Sequence, residues 1–222
     1  MSFYRKIQYY LVHTLKLSNK EALSAIKNGL VKINDEIISN NIIIDDTSEI
    51  KLNNKIIRAK IKFVYLKFHK PIGYESTLSN KVEKNLSTIF KDYTGLSIAG
   101  RLDKESEGLL ILSNDGKWVE QLINPKFIKE KEYLVELDKP VTPDFVTSFE
   151  LGVDIGFYIT KPCKCIIKSK YVINVILTEG KNRQLRRMCL KLGYKVIKLK
   201  RVRIAQYSLD NLKEGLIESF EK

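Results

Sequence analysis

The chain has 222 residues, 44% hydrophobic and 29% charged, with 39 Lys and Arg against 26 Asp and Glu. That length suffices for one domain with a substantial core plus a small appendage. No apolar run approaches the ~20 residues that span a bilayer, and the opening MSFYRKIQYYLVHTLK lacks the apolar core and small-residue cleavage site of a signal peptide. The net charge of +13 favours a polyanionic partner, nucleic acid first, through phosphate neutralisation and counterion release. The three cysteines, Cys163, Cys165 and Cys189, are too few and too irregular for a disulfide framework. With only His13 and His69 for imidazole, no metal site is expected. These features place the protein in a reducing cytoplasm.

In chain order, residues 1–59 read as a small α/β unit. YRKIQYYLVHTL sets Ile7, Leu11 and Leu15 at helical spacing. SNKEALSAIKNGLV supplies Ser18 as N-cap, Glu21 three residues on, and Gly29 as a stop. Short β-type runs follow, LVKIN, EIIS, SEIKLN and KIIRA, with turns at Asn34-Asp35 and Asn53-Asn54. EALSAIKNGLVKINDEII resembles the S4-type RNA-binding domain. Ile26, Gly29, Val31, Ile33, Asn34 and Ile37 fill the family's places, and Asp35 stands where glycine is common. Lys27 and Lys32 are the candidate phosphate contacts of this unit.

A second unit, residues 63–222, begins at KFVYLKFHKP. Its β-type runs are residues 63–68, 109–113, 133–137, 163–167 and 171–178. Helical patterns fall at 85–93, 117–123, 142–151, with Pro143 suited to a first turn, and 184–192. Without βαβ regularity, this mixture predicts an α+β domain on a mixed, largely antiparallel sheet.

Four segments of this unit carry chemistry. HKPIGYEST makes a tight turn after a strand. AGRLDKESEGLLILSNDG puts Arg101 and Asp103 ahead of an apolar run. KEKEYLVEL offers Tyr133 at a strand start, and LTEGKNRQLRRMC ends a strand and opens a basic helix. On that helix Arg183, Arg186 and Arg187 cluster at i, i+3 and i+4. Residues 180–203 contain ten Lys or Arg and no acid. The pattern predicts a nucleic-acid groove, with Arg183, Arg187, Lys198, Lys200 and Arg201 as phosphate contacts. Glu75, Lys104 and Glu107 read as solvated surface.

Together the four segments resemble the ribosomal RNA pseudouridine synthases of the RsuA/RluB/E/F type. GRLDKESEGLLILSNDG and EGKNRQLRRMC are specific, and EKEYLVELDKPVTPDF with KRVRI is most like the RluF type. The resemblance implies Asp103 as nucleophile, Arg101 as the residue that displaces the base, Tyr133 as the active-site tyrosine, and Leu185 with Arg186 lining the pocket. It implies ribosomal RNA as substrate, that of the large subunit first, with a tRNA as a second candidate and small-subunit ribosomal RNA as an alternative. No cofactor, metal or membrane is expected, and the protein is expected to be a monomer. His69, Tyr74 and Glu75 depart from the family pattern.

The chemistry suits those residue types. Uridine isomerisation breaks N1–C1′, turns the base and rejoins it through C5. A carboxylate can trap the sugar carbon, a neighbouring arginine favours its ionised form, and an aromatic with an apolar side chain can hold an unstacked base. Gly100 and Gly108 are expected to let the backbone approach the ligand. Two other readings stay open at this level: an RNA-binding module without catalysis, and a hydrolase pairing Asp103 with Glu105 or Glu107.

Overall fold

A computed structural model describes residues 5–222, which divide after Phe63 into two compact units. In the first, helix α1 (Ile7–Leu15) is followed by α2 (Asn19–Lys27). Both halves of a capping box open α2: Ser18 Oγ accepts from the Glu21 amide at 3.2 Å, and the Glu21 carboxylate accepts from the Ser18 amide at 2.7 Å. Strands β1 (Val31–Ile33), β2 (Glu36–Ile37), β3 (Ile50–Leu52) and β4 (Lys55–Arg58) form a sheet in the order β2-β1-β3-β4. The core of this unit joins Ile7 and Leu11 of α1 to Ala22 and Ile26 of α2, and both to Val31 and Ile50. The predicted order of two helices and then small hairpins is what forms.

The second unit, Val64–Lys222, is built on one sheet. Its strands are β5 (Tyr65–Lys70), β6 (Ser97–Ile98), β7 (Glu107–Ser113), β8 (Lys131–Leu137), β9 (Lys164–Ser169), β10 (Val172–Leu177), β11 (Val196–Ile204), β12 (Tyr207–Ser208) and β13 (Ile217–Ser219). They are ordered β13-β5-β7-β11-β8-β10-β9, with β12 beside β11 and β6 beside β7. Every pairing is antiparallel except that of β7 with β11. The α+β class with a mixed, largely antiparallel sheet is therefore borne out.

All seven residues of β7 are buried, because both faces of the strand are covered. Leu110 and Leu112 join the larger core, which includes residues of helices α4 (Pro143–Glu150) and α5 (Gln184–Lys191). Leu109 and Ile111 join a second core with Trp118, Val119 and Leu122 of α3 (Gly116–Ile123). A strand buried on both faces reads as a continuous apolar run, the pattern the sequence shows. The cap residues also follow the sequence: Asp115 accepts from the Trp118 amide and Thr142 from the Phe145 amide.

Two expectations fail. Residues 85–93 form successive turns, not a helix. Leu86 and Phe90 are buried in the larger core, Phe90 against the Phe68 ring, so the helical spacing reflects two anchors in an irregular segment. The second concerns β11, a nine-residue central strand hidden in the sequence by Lys198, Lys200, Arg201 and Arg203.

The parallel register sets Arg201 beside Gly108, whose φ is +113°. A Cβ on Gly108 would strike the Arg201 backbone, so this glycine admits a neighbouring strand and not a ligand. Gly108→Ala should destabilise the unit by more than ~1 kcal/mol, because the native backbone there is closed to a side chain. The measurement is a lower urea midpoint at unchanged m-value; an unchanged midpoint would refute the close approach.

Candidate active site

Between β6 and β7 the chain forms a loop whose backbone is pinned from several elements. The Ser76 hydroxyl donates to the Leu102 carbonyl at 2.7 Å and accepts the Leu102 amide at 3.0 Å. The Gly73 amide donates to the Lys104 carbonyl at 2.8 Å. Lys70, fully buried on β5, donates to the Ser106 and Pro71 carbonyls, both at 2.8 Å. Arg201 on β11 donates from Nη2 to the Gly100 carbonyl at 2.8 Å, from Nη1 to Arg101 at 3.3 Å and from Nε to Leu109 at 2.8 Å. The Arg186 Nη2 reaches the Glu105 carbonyl at 3.0 Å and Ser106 Oγ at 3.4 Å.

Above this loop lies a cavity of about 900 Å³, lined by Asp103, Arg101, Tyr133, Leu185, Arg183 and Arg201 among others. Tyr133 and Leu185 are buried. Asp103 is half-buried. Among the described residues its carboxylate accepts no hydrogen bond and has no ion-pair partner within 4 Å; Lys70 and Arg186 act on it only through space. Two other acids line the cavity. Glu179 is occupied by the Tyr158 hydroxyl at 2.8 Å, the Lys161 amide at 3.0 Å and Gln184 Nε2 at 2.9 Å. Glu75, expected to be solvated, is half-buried in the cavity wall.

Glu105 and Glu107 are absent from that wall. Glu105 pairs with Arg183 at 2.9 Å. Glu107 was also expected at the surface, yet its side chain is 5% exposed and paired with Lys198 at 3.3 Å. The three cysteines are held as thiols, burial pushing Cys163, Cys165 and Cys189 each up to about 12.

The basic window is less open than its sequence implies. Arg201 is buried, with its N–H groups spent on carbonyls, so it cannot be the phosphate contact it was expected to be. Arg186 does not line the cavity; it grips the loop backbone and the Val196 carbonyl. Arg183 and Lys198 have glutamate partners, and Arg203 pairs with Glu130 and Glu132. Arg187 is exposed, its guanidinium 5.2 Å from the Phe157 ring centre. Lys200 is half-buried. In the first unit Lys27 is exposed and Lys32 half-buried.

Sequence reasoning missed the loop's supports. Lys70 and Ser76 lay in the quoted HKPIGYEST segment, but nothing local shows that their side chains reach residues 102–106. Burial lowers Lys70 to about 8, the through-space pull of Glu75, Asp103 and Glu105 offsetting it only in part. Lys131, which also lines the cavity, was passed over for Tyr133.

Comparison with known proteins is consistent across the chain. The family model for RNA pseudouridylate synthase matches residues 64–191. The dual-specificity RNA pseudouridine synthase RluF of Salmonella typhi is 34% identical over 214 residues, 95% of this chain and 73% of that one. Ribosomal small subunit pseudouridine synthase A of Haemophilus influenzae is 32% identical, covering 95% of this chain and 93% of its own. A crystal structure of a pseudouridylate synthase superposes with a TM-score of 0.69 at 30% identity, over 97% of this chain and 96% of that chain. With the cavity, its unpaired aspartate and the pinned loop, these likenesses show that the chain belongs to the RNA pseudouridine synthase family and is an isomerase of that class.

Proposed function

We propose that the protein converts a uridine of large-subunit ribosomal RNA to pseudouridine, with Asp103 as nucleophile and a tRNA uridine as a second substrate. The observation that carries the reading is the Asp103 carboxylate. It faces the cavity beside Tyr133 and Leu185 and, among the described residues, has no hydrogen-bond or ion-pair partner to compete for it. The names of the relatives support the substrate: enzymes of the small and the large ribosomal subunit, and a dual-specificity one.

In this reading the target base leaves its stack and enters the cavity against Tyr133 and Leu185. The Arg101 side chain, exposed and without a hydrogen bond or ion pair among the described residues, fills the gap left in the RNA. Asp103 attacks C1′ as N1 departs; C5 then displaces it, and C5 gives up its proton. Isomerisation redistributes bonds without net oxidation, so no cofactor is needed. Arg186 acts by holding the loop. Residues 1–59 serve as an S4-like RNA-binding domain, with Lys27 and Lys32 on phosphates, and 63–222 as the catalytic domain. Of the phosphate contacts named from the sequence of the second unit, Arg187 and Lys200 are the ones without an acid partner among the described residues, with Arg183 and Lys198 shared between RNA and their glutamates. The protein works as a monomer in the cytoplasm; no helix among the described residues is long and apolar enough to cross a membrane.

Asp103→Asn should bring tritium release from [5-³H]uridine-labelled ribosomal RNA to background while the protein stays folded and binds RNA. Glu105→Gln should retain near-normal release, since an exposed ion pair contributes at most ~1 kcal/mol. Normal release from Asp103→Asn would sink the mechanism. Glu107→Gln should lower stability, because its carboxylate is buried against Lys198.

RNA affinity should fall on Arg187→Gln and Lys200→Gln. The salt slope should flatten by ~0.7–0.9 for each phosphate no longer neutralised; an unchanged slope removes both from the RNA surface.

The stability of the loop should depend on Lys70. Because its folded value of about 8 lies below the ordinary 10.5, the unfolded chain binds more protons between those limits. Stability from this group therefore rises as pH climbs from 8 toward 10.5. Lys70→Met should remove that rise from urea unfolding measured across the same range, and an identical pH dependence in both proteins would contradict it.

A further inference from the structure

Lys131 opens β8 two residues before Tyr133, so strand alternation turns both side chains to one face. Leu177 and Ile204 stand opposite Lys131 on the neighbouring strands, and Val175 and Arg201 stand opposite Tyr133. Lys131 thus occupies the cavity wall beside the tyrosine. Unlike Arg183, Lys198 and Arg203 it has no carboxylate partner among the described residues. Among the described residues its Nζ reaches the Lys129 carbonyl alone, at 3.4 Å. Burial first, then repulsion from Arg201, holds its ammonium below the usual lysine range. A half-buried cation without a counter-charge costs stability. Such placements concentrate where an anion arrives during function.

We propose that Lys131 is a catalytic residue whose ammonium takes up the negative charge of the uracil ring while the ring is detached from the sugar. The proposal rests on the isomerase reading above. When N1–C1′ breaks, the electron pair leaves with the base, spread over N1, O2 and O4, and an Asp103 oxygen bonds to C1′. C5 then bonds to C1′ and the Asp103 oxygen leaves with its pair. C5 loses its proton to solvent and N1 gains one, so the product is an isomer. The base is an anion only in the interval between the two steps. A cation that acts in that interval raises the rate of the bound complex more than it raises affinity.

The other cations near the site are less suited to this work. Arg201 donates to the Gly100, Arg101 and Leu109 carbonyls, Arg186 lies outside the cavity wall with its Nη groups on the Glu105 and Val196 carbonyls, and Arg101 is exposed. The titratable groups that share the wall with Lys131 are Glu75, Arg101, Asp103, Lys129, Tyr133, Tyr158, Lys161, Glu179, Lys181, Arg183 and Arg201. Glu179 is occupied by Tyr158, Lys161 and Gln184.

The test is single-turnover tritium release from [5-³H]uridine-labelled ribosomal RNA at saturating enzyme, across pH, for the wild type, Lys131→Met and Lys131→Arg. The wild-type rate should decline as pH rises through a value below the usual lysine range, because the ammonium is the active form. Lys131→Met should lose about 100-fold in rate, the scale of removing one transition-state donor. Its RNA Kd should change less than about 2-fold, and the alkaline decline should vanish. Lys131→Arg should keep part of the rate and shift the decline to higher pH, since a guanidinium stays charged. Urea midpoints confirm that each variant is folded. Three results would overturn the proposal in an active wild type: a normal rate in Lys131→Met, a loss confined to Kd as for a phosphate-binding lysine, or a lowered rate with the alkaline decline unmoved. A wild type that releases no tritium would instead sink the isomerase reading, and this proposal with it.

Discussion

The arrangement depends on a guanidinium buried without a carboxylate. Arg201 is 1% exposed, and Gly100, Arg101 and Leu109 supply carbonyls to its N–H groups. A buried charge is tolerated only when its donors are met, and here the acceptors are the backbone of strand β7 and of the loop before it that carries Asp103. The requirement is mutual. Loop carbonyls turned inward need donors, and Arg201, Lys70, Arg186 and Ser76 provide them. Folding of the sheet and shaping of the loop are therefore one event, because β11 can reach the loop only while Gly108 lets it lie beside β7.

That coupling explains which parts of the molecule were legible in the sequence. The buried run of β7, the Ser18 capping box, the Asp115 and Thr142 caps and the antiparallel character of the sheet all follow from local pattern. The role of β11 is not local. KVIKLKRVRI reads as a charged face because charge is normally solvated, and nothing within the segment says that Glu105, Glu107, Glu130 and Glu132 approach from elsewhere to pair with its cations and those at the start of α5. The same blindness misplaced Glu107, which closes the polar run Lys104-Glu105-Ser106 in sequence but opens the buried strand β7 in space. Residues 85–93 failed for a different reason: two anchors at helical spacing do not require a helix when the intervening backbone can turn.

The cations named here fall into two groups, and their partners separate them. Arg201, Arg186 and Lys70 hold backbone, and their removal would be felt as lost structure in the loop. Arg187 and Lys200 have no acid partner among the described residues and remain available to phosphate. Counting cations in a window cannot make that division, which needs the partner of each.

The loop's supports also divide backbone from side chain at the site. Among the described residues, every hydrogen bond or ion pair that ties residues 100–106 to another element engages a backbone group or Ser106, except the Glu105–Arg183 pair. Among the described residues, the Arg101 and Asp103 side chains are left without internal partners. Catalysis by positioning needs the reacting group held in place yet unspent, and a loop tied by its carbonyls achieves both. Asp103 is fixed through its neighbours' backbone while its carboxylate stays unpaired among the described residues, as the proposed attack on C1′ requires, and Arg101 is anchored at its carbonyl while its side chain stays unpaired, as the proposed entry into an RNA stack requires.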